Sequence, residues 1–131
     1  ISFARKALNK YPDKRIIFWF LQPHAPFIGF NPDGILNHSL VDGIIHNKKN
    51  LNVWRAIMEG YITINDAYEA YKNNFNILWH SGVLPLLEYL DGNIVITSDH
   101  GNCFGEMGIL AHPQRIHISP LIEVPYMRIH K

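Results

Sequence analysis

The run Arg15-Ile16-Ile17-Phe18-Trp19-Phe20-Leu21-Gln22 constrains the fold of this chain more than any other segment. Its β-branched and aromatic residues follow one another without polar interruption, so an extended chain there is apolar on both faces. Such a strand needs cover on both sides, which it finds inside a parallel sheet flanked by helices. It stops abruptly at Pro23-His24-Ala25-Pro26, because prolines this close together cannot continue a ladder of backbone hydrogen bonds. Asn93 to Ser98 has the same buried-strand character and leads straight into Asp99-His100-Gly101-Asn102. A third strand is expected over Val124 to Ile129, entered through Pro125.

Helical patterns alternate with these strands, which predicts an α/β domain. Ala4 to Asn9 reads as the end of a helix stopped by Tyr11-Pro12-Asp13, since Pro12 disfavours the helical conformation for the residue before it. Leu51 to Met58 predicts a short helix ended by Gly60. A longer one begins near Thr63, which offers a capping side chain, with Asp66 as an early acid facing the helix dipole. Ile64, Tyr68, Tyr71, Phe75, Leu78 and Trp79 then recur at three- and four-residue spacing as one apolar stripe. Gly82 and Pro85 should kink or divide this helix, and Leu86, Leu87 and Leu90 resume the stripe. Trp19, Trp54 and Trp79 read as core residues, and Phe27 to Asn50 as irregular loop.

With 131 residues, of which 47% are hydrophobic, the chain can bury one core. Twelve basic and eleven acidic side chains leave a net charge of +1, and no Lys/Arg cluster is longer than Lys48-Lys49. Bulk charge therefore argues against nucleic acid or an anionic membrane as partner. The longest apolar run, Ile16 to Leu21, is strand-sized, so the chain holds no membrane-spanning segment of helical type. Its single cysteine, Cys103, cannot form an internal disulfide, which fits a reducing compartment without fixing one. Helical apolar spacing is already under way at Ile1, as expected of a piece that begins inside a structural element.

Two of the apolar runs end on a histidine, at His24 and at His100. In open α/β sheets, ligands collect beyond the carboxyl ends of the strands, and both histidines fall in that zone. Adjacent Asp99 and His100 would point to opposite faces of a regular strand. At a tight turn they can face one ion, and Gly101 supplies backbone freedom for such a turn. A carboxylate beside a neutral imidazole suits Zn²⁺ or Mn²⁺, whereas harder ions prefer oxygen ligands throughout. His112, in Ala111-His112-Pro113, can fold back to the same crevice. His38, His46, His80, His117 and His130 lack a partner at ligand spacing and read as structural or surface residues. Cys103 reads as a buried or incidental thiol, since a nucleophile would need a lowered pKa and a nearby base. Glu106 is open to two readings, a residue that orients a ligand or a solvated loop acid.

Taken in order, Gln22-Pro23-His24-Ala25-Pro26-Phe27, a long helix, Ile94-Val95-Ile96-Thr97-Ser98-Asp99-His100-Gly101-Asn102, Gly105-Glu106, Ala111-His112-Pro113 and Val124-Pro125-Tyr126 resemble the sulfatase-like branch of the alkaline phosphatase superfamily. The resemblance spans nearly the whole chain. It implies a partial alkaline-phosphatase-like three-layer sandwich with a mainly parallel sheet covered by helices, residues 1–131 being the C-terminal part of the catalytic domain. It assigns Asp99 and His100 as metal ligands, and His24 and His112 as catalytic residues, His24 at the oxygens of a transferring group or at a second metal, and His112 as a metal or oxyanion ligand. The implied cofactor is a divalent ion, Zn, Mn or Ca, and the implied substrate a small-molecule, glycan or lipid ester of sulfate or phosphate. Gln22 stands where many relatives carry Asp at a second metal. The family's nucleophile precedes these motifs and is expected upstream of Ile1, so the chain alone is expected to be inactive. The alternatives are a cofactor-independent phosphoglycerate mutase, which shares the Asp-His-Gly-Asn sequence, and a non-catalytic metal-binding or assembly domain.

Overall fold

The computed structural model describes residues 1–28 and 53–131. The irregular segment expected up to Asn50, with His38 and His46, and the first two residues of the helix expected from Leu51 lie outside the described residues. Helix α1, Ser2–Lys10, ends at Tyr11, whose φ of −132° leaves the helical region just before Pro12. Its Arg5 guanidinium lies 4.5 Å from the centre of the Tyr89 ring. Helix α2 is Val53–Met58 and helix α3 is Ile64–Leu78. At the start of α3, Asp66 N–H donates to Thr63 Oγ1 at 3.1 Å, and Thr63 N–H donates to the Asp66 carboxylate at 2.9 Å. This reciprocal pair satisfies two of the donors a helix start leaves open. The chain then passes through a π turn, Trp79–Val83, into the short helix α4, Leu84–Leu87, with Pro85 in its first turn. The helix continues through this turn, with Leu84 N–H donating to Trp79 O, and the wider π turn accommodates the missing donor of Pro85. Gly82 and Pro85 thus loosen the helix into a π turn without breaking it.

The fold is mixed α/β, and the described strands form two small antiparallel sheets. Strand β1, Asn93–Thr97, pairs with β4, Tyr126–His130, in the register Asn93 with His130 through Thr97 with Tyr126. Strand β2, Cys103–Phe104, pairs with β3, Leu110–Ala111. A short helix α5, Ser119–Ile122, lies between β3 and β4. Among the described residues the pairing is antiparallel, and the mainly parallel sheet expected from the sequence is not seen.

Two further expectations are corrected. Residues 15–21 form no helix or strand, with Ile17 92%, Trp19 79% and Leu21 82% exposed. A strand apolar on both faces needs neighbours at both edges and cover above and below, and among the described residues no strand pairs with it. Ile16 and Phe18 are half-buried, and the Phe20 ring lies where a side chain on Gly82 would come within 3.3 Å. Trp19 is accordingly not a core residue, whereas Trp54 packs against the core and Trp79 stacks on Phe75. Strand β1 is also less buried than expected. Ile94 and Ile96 are half-buried and alternate with exposed neighbours, as suits a two-stranded ribbon with one covered face.

The core joins Phe27, Val53, Ala56, Ile62 and Ala67. Helix α3 turns Ala67 and Asn74 inward, both fully buried, while Ile64, Tyr68 and Phe75 of the expected stripe stay partly exposed. The small Ala67 side chain lets neighbouring chain approach the helix closely, so the inward face is offset from the line of large apolar residues.

Candidate functional site

Three histidines from separate segments meet on one side of this core. The ring centres of His100 and His112 are 4.2 Å apart, and those of His24 and His112 are 5.5 Å apart. Helix α3 brings them together by holding both loops. Phe27, just after His24, packs edge-on to Tyr71 at 5.9 Å between ring centres. Phe104, just after the Asp99 to Asn102 turn, lies 5.3 Å from Tyr68 and 5.2 Å from Tyr71. The β2–β3 hairpin places the third histidine. Pairing Cys103 with Ala111 sets His112 opposite the Asp99–Asn102 turn, beside His100. The hairpin loop is closed by Glu106, whose carboxylate accepts the Phe104 N–H, and by Gly105 N–H donating to Ile109 O at 2.9 Å. Glu106 thus holds the hairpin and points away from a ligand-orienting role.

The turn carrying Asp99 and His100 is shaped by side chains from within it. Asp99 Oδ1 accepts the His100 N–H at 3.0 Å, and Ser98 Oγ donates to His100 O at 2.7 Å. Gly101 serves this turn through its lack of a side chain, since its φ is not positive. A Cβ there would lie 2.0 Å from Pro120 O, and Gly101 N–H donates to Leu121 O at 3.0 Å. The absent side chain lets α5 close over the turn.

Hydrogen bonds fix which ring nitrogens are available. His100 Nδ1 lies 2.8 Å from Gly101 O, and His24 Nδ1 contacts Ala25 O. A carbonyl oxygen only accepts, so each Nδ1 donates, and a ring carrying that single proton keeps a lone pair on Nε2. His100 Nε2 and Asp99 Oδ2 are 3.8 Å apart, and both side chains are open to solvent, at 38% and 58% exposure. Two ligand bonds of about 2.0–2.1 Å span up to about 4 Å, so these two atoms can reach one ion. Among the described residues, however, no group of three or more His, Cys, Asp or Glu side chains is arranged around a common point. The donor set fits a divalent ion at two positions, Asp99 and His100, with the remaining ligands to come from elsewhere.

Burial pushes the His112 ring below the usual histidine range, and repulsion from His100 and His24 lowers it further, against a smaller opposing pull from its own backbone hydrogen bond and from Asp99. The neutral form of His112 is thereby favoured, and in that form the ring can accept or donate a hydrogen bond. Asp99, His100 and His112 line a cleft of about 380 Å³ together with Pro113, Ile116, His117, Leu121 and Ile122. The spacing argument had left His117 among the structural histidines, and only the α5 segment folding over the turn brings it to the cleft. Asn74 is the other residue that spacing did not reveal. An asparagine inside an apolar helical pattern is the one available signal, since a buried amide must find partners.

Cys103 is fully buried opposite Ala111, and burial raises its thiol pKa, with Glu106 adding to the effect. It has the character of an inert core thiol. Burial pushes the Tyr71 phenol upward, against a smaller opposing pull from Asn102, whose Oδ1 is buried without a partner. No helix among the described residues is long and apolar enough to cross a membrane. Comparisons with protein-family models, with curated proteins and with solved structures find no match for this chain.

Proposed function

We propose that this chain carries the metal-ligand and substrate-histidine portion of a hydrolase or transferase acting on sulfate or phosphate esters. The observation that carries the reading is the meeting of His24, His100 and His112 beside Asp99, with Nε2 of His24 and of His100 left free. Asp99 Oδ2 and His100 Nε2 would hold a divalent ion, for which Zn²⁺ and Mn²⁺ suit the mixed oxygen and nitrogen donors. Such an ion, when bound, would supply positive charge to neutralise a transferring sulfuryl or phosphoryl group. His112, half-buried and with its neutral form favoured, can donate a hydrogen bond to a peripheral oxygen of that group or pass a proton to a departing alkoxide. His24, whose ring lies 5.5 Å from that of His112, offers Nε2 beside it.

Among the described residues lining the cleft none is Ser, Thr or Cys, so the nucleophile on this reading comes from outside it. The full architecture belongs to the same proposal. Residues 15–21 have the composition of an inner strand and stand exposed, and in a three-layer sandwich they would pair within a mainly parallel sheet. Substrate would be a small-molecule, glycan or lipid ester whose anionic head fits the histidine cluster.

The test is calorimetric titration of the chain with Zn²⁺ and with Mn²⁺, repeated on Asp99→Ala and His100→Ala. One saturable site, weakened at least about tenfold in each variant, supports the proposal. Equal binding by all three proteins, or no binding by the native chain, would overturn it.

A further inference from the structure

We infer that Asn74 is a positioning residue for His24, a role that rests on the function proposed for the histidine cluster. Asn74 sits inside α3 and is fully buried, yet asparagine is a poor helix former and its amide is costly to remove from water unpaired. All of its side-chain hydrogen bonds go to one loop. Oδ1 accepts the Ile28 N–H at 3.1 Å. Nδ2 donates to Gln22 Oε1 at 2.6 Å and to Pro23 O at 2.9 Å, with His24 O at 3.4 Å sharing the second hydrogen. One side chain therefore clasps the loop on both sides of His24.

The loop is also held at Phe27, which packs on Tyr71 of α3, and by contacts of its own. Within it, His24 N–H donates to Leu21 O at 3.1 Å, and Phe27 enters the core beyond the histidine. Neither contact fixes the peptide groups flanking His24 against α3. The Asn74 amide does so, and α3 also holds Phe104, which follows the Asp99 to Asn102 turn. A single rigid helix thus sets the distance between the segment carrying His24 and the one carrying His100. A leucine at this position would fill similar space but leave Pro23 O and the Ile28 N–H without their partner.

The requirement is for donors and an acceptor together, which suggests the discriminating variants. Asn74→Asp keeps the acceptor for Ile28 N–H but turns lone pairs toward Gln22 Oε1 and Pro23 O. Gln22→Met removes one acceptor on the loop and leaves the helix untouched. The readout is the nuclear Overhauser cross-peak between the His24 and His112 rings, with the Phe104 to Tyr71 and His100 to His112 cross-peaks as internal controls. The native chain should show all three. Asn74→Asp should lose the His24 to His112 peak and keep the controls, and Gln22→Met should weaken the same peak alone. Should Asn74→Asp fail to fold, Gln22→Met decides on the same signal. An undiminished His24 to His112 peak in folded variants, with only a lower melting temperature, would make Asn74 a purely structural residue and overturn the inference, as would absence of that peak from the native chain. Zn²⁺ titration of the same samples keeps the two claims apart. A native chain that binds no Zn²⁺ removes the proposed function, and the cross-peaks still decide whether Asn74 places His24.

Discussion

Gly101→Ala is the most exacting perturbation of this structure. The added methyl would lie 2.0 Å from Pro120 O and 3.0 Å from Pro120 C. Both are backbone atoms, so no side-chain rotation relieves the contact. An ordinary carbon-to-oxygen separation is more than 1 Å longer, and α5 must retreat by about that much. The retreat breaks the 3.0 Å bond from Gly101 N–H to Leu121 O, a loss of about 1 kcal/mol. It also draws Leu121, 5% exposed, away from its packing. Overpacking adds about 1–3 kcal/mol, so the expected destabilisation is about 3 kcal/mol. For a domain of this size that corresponds to a fall in melting temperature of roughly 10–15 °C. Urea unfolding followed by circular dichroism measures the free energy, with Gly60→Ala as comparison. Gly60 has φ +75° and open space around the position of an added Cβ, so its replacement should cost only the left-handed strain of about 1–2 kcal/mol. A Gly101→Ala protein within about 0.5 kcal/mol of the native chain, beyond which surface substitutions seldom fall, would refute the close approach of α5 to the turn.

The lowered His112 pKa makes stability depend on pH. The folded ring titrates below its unfolded value, so between the folded pKa and the unfolded value near 6.5 the unfolded chain binds more protons and stability rises with pH. Stability should therefore decline as pH falls from about 7.5 through that window, and His112→Gln should flatten the decline; an unchanged profile in the variant would contradict the assignment. Cys103, buried with a raised pKa, should resist alkylation at pH 8 in native buffer and react at an ordinary thiol rate in 6 M urea, where rapid native labelling would show the thiol to be accessible. Trp19, at 79% exposure, should be quenched by acrylamide much more efficiently than Trp54, as measured in single-tryptophan variants; equal quenching would mean that residues 15–21 are covered.

Local sequence sufficed for the features that local chemistry decides. Pro12 ends α1, Thr63 and Asp66 start α3, and Gly82 with Pro85 mark where the helix relaxes into a π turn. Each follows from a backbone donor, acceptor or ring within a few residues of the effect. The residues that form the candidate site were also legible as Asp99, His100, His24 and His112, because each ends a run of apolar chain or sits beside a turn. Their convergence on one crevice was expected, but not the means of it. It depends on the Cys103 to Ala111 pairing and on Phe27 and Phe104 meeting one helix. Parallel pairing was expected from residues 15–22, but a strand's sequence states only that both faces want cover and says nothing of which neighbour supplies it. Gly101 was read as a source of backbone freedom, whereas its place is decided by a carbonyl from Pro120, distant in sequence. Asn74 and His117 belong to the same class. Partners far along the chain set their roles, because burial and hydrogen bonding depend on three-dimensional proximity, to which one-dimensional spacing is blind.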